Sequence, residues 1–153
     1  MARFRIALSV LVIVGLFAAG AVAQDVTSSL KAGKAELQSA GKMTFGDNGV
    51  LFVADSLGAS IYALDTGDRT KSTASSLAVT GLADKIAGLL GTTPDQIVIN
   101  DVAVNPVSRS AYVSVARGRG PTAAAVIVRV APDGKLSTLE DRKSTRLNSS
   151  HRL

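Results

Sequence analysis

Cysteine is absent from the 153 residues, and histidine occurs once, at His151. The first absence excludes disulfides, thiol nucleophiles and thiolate metal sites. The second leaves residues 24–140 without the imidazole that Ser-His-Asp catalysis, histidine zinc sites and histidine-ligated haem require. Chemistry in that stretch therefore rests on carboxylates, hydroxyls, amides and guanidinium groups.

Net charge is equally uninformative about the middle of the chain. The formal charge is +5. Arg3 and Arg5 supply two of these charges. Arg142, Lys143, Arg146 and Arg152, against Asp141, supply three more, which leaves residues 24–140 neutral. A basic balance usually points to nucleic acid or a membrane surface. Here it lies at the two ends, so no nucleic-acid partner is expected.

The N-terminus reads as a secretory signal peptide over residues 1–23. Arg3 and Arg5 form a basic start, Ile6 to Phe17 is apolar apart from Ser9, and Ala21-Val22-Ala23 is a small-residue cleavage site. The mature chain is expected to begin near Gln24 and to be secreted or periplasmic, with membrane contact only through the signal during export. No cysteine follows the site to carry a lipid. At the other end, Asp141–His151 reads DRKSTRLNSSH. It resembles the in-frame translation of a common sequencing-library adapter. The natural chain is then expected to be cut near Glu140, and residues 141–153 to be an artefactual or disordered tail.

Between the ends the pattern is all-β. Residues 24–41 are small and polar, an extended lead-in with one candidate strand near Ala35–Gln38. Strands are expected at Met43–Phe45, Val50–Ala54 and Ser60–Leu64, where β-branched and aromatic residues alternate. Asp47-Asn48-Gly49 and Ser56-Leu57-Gly58 tolerate or supply the positive φ of tight turns. A fourth strand is expected at Ser75–Thr80. Leu82, Ile86, Leu89 and Leu90 then share one helical face, and Gly91 stops the helix over 82–90. A second set of four strands follows over 96–140. It starts with a strand from Gln96 broken at Asn100-Asp101, and continues through Ser110–Ala116, Ala123–Val130 and Lys135–Leu139. The apolar third strand is expected to be buried on both faces.

The two sets echo each other at a period of about 60 residues. Phe45-Gly46-Asp47-Asn48-Gly49 and Leu51-Phe52-Val53-Ala54 align with Val104-Asn105-Pro106 and Ala111-Tyr112-Val113-Ser114. The expected fold is a partial β-propeller of two four-stranded antiparallel blades: blade one 42–80, the inserted helix, and blade two 96–140.

Particular residues carry the resemblance to a family. Asp47-Asn48-Gly49, Leu51-Phe52-Val53-Ala54-Asp55 and Ile61-Tyr62-Ala63-Leu64-Asp65 are similar to NHL-type and SMP-30/gluconolactonase-like blades. Asn100-Asp101-Val102-Ala103-Val104 looks like the stretch of those lactonases whose Asn helps bind a divalent metal. The resemblance implies a six-bladed propeller, with calcium or zinc held in the full-length protein. The chain departs from it at Val115-Ala116-Arg117, where the family often has Thr-Asp.

Each candidate site has two readings. Asn100 and Asp101 are oxygen ligands for a cation, or an Asx turn at a strand start. Asp55 is a ligand or a turn-bonding residue. Asp65-Thr66-Gly67 matches the aspartic-protease triplet, which needs two such carboxylates, or is a strand end and turn. Arg117 and Arg119, with Arg109, form an anion-binding loop or a solvated one. The expected function is a non-enzymatic scaffold for a small molecule or protein. The alternatives are a metal-dependent lactonase-like hydrolase and a quinone-dependent sugar dehydrogenase.

Overall fold

The structure is a computed structural model, and it describes residue 27 and residues 30–33, 35–139 and 146–147. The signal peptide and most of the tail lie outside these residues. The chain runs through β1 (Lys31–Ala32), β2 (Met43–Phe45), β3 (Val50–Asp55), β4 (Ser60–Asp65), α1 (Leu82–Leu89), β5 (Ile97–Val104), β6 (Ala111–Arg117), β7 (Ala124–Val130), β8 (Leu136–Thr138) and β9 (Arg146–Leu147). Two antiparallel sheets result. In the first, β2, β3 and β4 form a meander, with the two-residue strands β9 and β1 following beyond β4. The second is the meander β5-β6-β7-β8.

The turns follow from their residues. Asn48 and Gly49 take φ of 55° and 71°, the left-handed pair that an Asn-Gly turn accommodates. The next turn differs from expectation. There the left-handed residue is Ala59, at φ 46°. Gly58 is needed for space instead, because a Cβ on it would sit 2.5 Å from Asp55 Oδ2. Gly91 and Gly134 are left-handed where the helix and the β7–β8 turn end.

Two apolar clusters organise the sheets. Met43, Leu51, Val53 and Leu64 of the first sheet meet Ala103, Tyr112 and Ile127 of the second. The opposite face of the second sheet carries Ala111, Val113, Val115, Val128 and Val130, and Ile86 and Ala87 of α1 cover it. Strand β7 therefore buries Ile127 on one side and Val128 on the other. The helix lies on the sheet's face and not on its edge, and Leu89 is left partly exposed while Leu82 and Leu90 pack inward.

The stacking has a direction. Leu51 and Val53 on β3 align in sequence with Ala111 and Val113 on β6. The first pair faces the second sheet, whereas the second pair faces α1. Opposite faces of the two units thus meet, and the first strands of the two units, β2 and β5, lie side by side.

Two expected strands are not there. Residues 35–38 do not form a strand. Ala35 and Leu37 pack against the first cluster, and the amides of Gln38 and Ser39 turn to Asp55. Residues 75–80 are irregular. The segment after β4 crosses to the second sheet, where the Ser72 amide donates to the Val107 carbonyl at 3.1 Å. Leu77 and Val79 pack under α1. The edge of β4 that they would have taken carries β9.

Candidate functional site

Among the described residues, the seam between the sheets gathers most of the buried polar side chains. At its centre is Asp68, three residues beyond the end of β4. Its Oδ2 accepts from Ser108 Oγ at 2.8 Å, Tyr112 OH at 3.1 Å and Arg129 Nε at 2.8 Å. Its Oδ1 accepts from Arg129 Nη2 at 3.2 Å. The backbone carbonyl of Asp68 accepts from Asn105 Nδ2 at 2.8 Å, while Asn105 Oδ1 takes the amides of Val107 and Ser108. Asp68, Asn105, Ser108, Ser110 and Tyr112 are all buried.

A charge held away from water is tolerable only when it is paired and hydrogen-bonded. That condition is met here. Burial pushes the Asp68 carboxyl up, but the hydrogen bonds from Arg129 and Ser108 and the charge of Arg129 outweigh it. The carboxyl is held below its ordinary value. Burial and the Asp68 charge push the Tyr112 phenol up to about 12. Arg129 loses by burial but gains more from Asp68, so it stays charged. The phenol is a permanent donor at neutral pH, and the ion pair is permanent too. At neutral pH such a cluster holds a fixed geometry.

Asn100 and Asp101 sit at a second point on the seam. The ladder pairs Ile99 with Val115 and Asp101 with Ser114, which leaves Asn100 as a bulge. The bulge aims consecutive polar side chains at the lead-in to β2. Asn100 Nδ2 donates to the Ala40 carbonyl at 2.8 Å. Asp101 Oδ2 accepts from the Met43 amide at 2.7 Å, and Oδ1 lies 3.3 Å from Lys42 Nζ. The Met43 amide is the main reason the Asp101 carboxyl is held low. Ser114 Oγ adds a bond to the Gly41 carbonyl at 2.9 Å. These contacts staple two chain segments and form no Asx turn at a strand start. Among the described residues, no group of three or more acidic or histidine side chains is placed to hold a metal ion.

The other candidates are dispersed. Asp55 closes the β3–β4 turn, accepting from the amides of Gly58, Gln38 and Ser39 and from Ser39 Oγ. Asp65 ends β4, taking the Gly67 amide at 2.9 Å and Arg69 Nη2 at 2.8 Å. Arg117 Nη1 donates to the Leu90 carbonyl at 3.2 Å, and the Arg119 guanidinium donates to the Asp95 carbonyl. Both arginines tie the β6–β7 loop to the α1–β5 connection. Arg109 does not join them. It lies at the opposite end of the β5–β6 hairpin, roughly 20 Å away along β6.

One signal for the Asp68 cluster stands in the sequence. Arg129 interrupts the apolar run Ala123–Val130. A guanidinium in a strand buried on both faces demands a buried acid. Comparison with family models, curated proteins and solved structures finds no match for the chain. Among the described residues no helix is long and apolar enough to cross a membrane.

Proposed function

We propose that this chain contributes two successive blades to an exported β-propeller that serves as a binding scaffold for a small molecule or protein. One observation carries the reading: the two units stack with opposite faces in contact and with β2 beside β5. A two-fold sandwich would bring like faces together. A ring of blades repeats one face-to-back contact and sets the first strands of neighbouring blades next to each other. The seam polar groups favour a scaffold over a hydrolase, because Asp101 and Asp68 are committed to holding segments together.

Reading the gene across the codon for Glu140 tests the proposal. Further blades at a spacing of about 60 residues are expected. A continuation without alternating strands and turn residues overturns it. Export is tested by fractionating expressing cells and sequencing the mature N-terminus, with Gln24 as the expected first residue.

A further inference from the structure

One face of the second sheet carries a helix where the stacking inside the chain sets a sheet. Leu51 and Val53 on β3 lie under the second sheet. Their counterparts in the sequence echo, Ala111 and Val113 on β6, lie under Ile86 and Ala87 of α1. A further unit, stacked on the second as the second is on the first, needs the face that α1 occupies.

The helix is lightly held. It spans eight residues, Leu82–Leu89, and helices this short are marginal in water on their own. Glycines bracket it: Gly81 and Gly91 take φ of 62° and 65°. A Cβ on Gly91 would meet nothing within 4 Å, so the chain has room to turn there. Ahead of the helix, residues 66–81 form neither helix nor strand. Its grip on the sheet is apolar, through Leu82, Ile86, Ala87 and Leu90. Among the described residues, the polar tie to its end is Arg117 Nη1, which donates to the Leu90 carbonyl at 3.2 Å. Arg119 holds the Asp95 carbonyl on the other side of Gly91, so it fixes the base of the hinge and not the helix.

We propose that α1 is a hinged cover, latched by Arg117, that shields Val113, Val115, Val128 and Val130 until the following unit of the chain takes their face. Opening lifts residues 82–90 between the two glycines and leaves β5 to β8 paired. A latch at one end and an apolar grip along the length let the helix part from the sheet without unfolding it. The identity of the occupant rests on the blade reading; the opening does not.

Hydrogen exchange read by mass spectrometry on the full chain tests the opening. Amides of residues 82–90 are expected to exchange at least about tenfold faster than those of β6, with little dependence on urea, because a local opening exposes little surface. Arg117→Ala is expected to speed residues 82–90 by about 2–10-fold and to leave β7 unchanged. Exchange of residues 82–90 and β6 at one rate, with one urea dependence, overturns the cover and leaves the blade reading standing. So does an Arg117→Ala variant that speeds both alike, and an unchanged rate in that variant removes Arg117 as the latch. The occupant is tested on the product of the gene that continues past Glu140. There residues 82–90 are expected to lose their protection while β6 keeps its own, and protection retained at 82–90 overturns the displacement. A gene without further units overturns the blade reading and leaves the exchange result on this chain standing.

Discussion

The first sheet is covered on one face and the second on two. Leu51, Val53 and Leu64 face the second sheet, while Ile61 on the far side and Leu57 in the β3–β4 turn meet solvent. The second sheet lies between that contact and α1, and β6 is buried from Ala111 to Val115. Their buried aspartates differ in the same way. Asp55 gathers backbone amides and the Ser39 hydroxyl from neighbouring turns. Asp68 gathers a guanidinium, a phenol and a hydroxyl from the other sheet. One aspartate shapes a turn; the other fastens one unit to the next. Stability should accordingly concentrate in the second sheet and at the seam.

The most severe test of that contrast is Asp68→Ala. It removes the carboxylate that Arg129 and Tyr112 share. Breaking a buried pair by removing one partner costs about 3–5 kcal/mol. Urea melts are expected to show a loss of that size. Asp55→Ala is expected to cost less, because its amide donors lie near solvent and can turn to water. Equal losses at the two sites would erase the distinction between turn and fastener.

Next in size is the cover on the second sheet. Ile86 is fully buried between α1 and the sheet, so Ile86→Ala should destabilise by about 2–5 kcal/mol. Ile61→Ala on the bare face of the first sheet should fall within about 0.5 kcal/mol of wild type for the monomer. If the two substitutions cost the same, α1 is not the cover that the packing describes.

These sites also mark where the sequence could be read and where it could not. The β2–β3–β4 and β5–β6–β7 meanders were legible because alternation and turn residues are local signals, and the break at Asn100-Asp101 became the bulge. The helix was legible from its 3.6-residue period. Its seat on a sheet face was not, because period fixes which residues point inward and not what they meet. Residues 75–80 have a strand-like composition but form no strand. Their path follows the Ser72 amide, tied to the Val107 carbonyl, and Leu77 and Val79, packed under α1, and no local pattern encodes such contacts. Gly58 looked like a φ requirement and proved to be a space requirement imposed by Asp55.

Acid should separate the two sheets more gently. Asp55 and Asp68 both have folded values below the ordinary carboxylate value. Each binds a proton more weakly folded than unfolded, so its contribution is fully present above the ordinary value, about 4. That contribution is lost as pH falls below it toward the folded value. Melting temperature is expected to hold from neutral pH down to about 5 and to drop below about 4. Asp68→Asn should flatten the acid limb more than Asp55→Asn does. The reverse order would place the acid-sensitive fastening in the first sheet.

The smallest effects are expected where the seam reaches the surface, and their order distinguishes a staple from a ligand. Lys42 is 83% exposed at its ion pair with Asp101, so Lys42→Ala should cost no more than about 1 kcal/mol. Asp101→Asn keeps an oxygen for the Met43 amide and should cost little as well. Asp101→Ala leaves that amide without its acceptor and should cost about 1–3 kcal/mol. A backbone staple therefore ranks Ala above Asn. A cation ligand is weakened by Asn as well as by Ala, because a neutral amide oxygen holds calcium less tightly than a carboxylate does. It also requires calcium to raise the melting temperature of wild type more than that of Asp101→Asn, by the linkage between binding and stability. Melts of the three variants with calcium and with chelator read both orders at once, and the geometry at Met43 predicts the first.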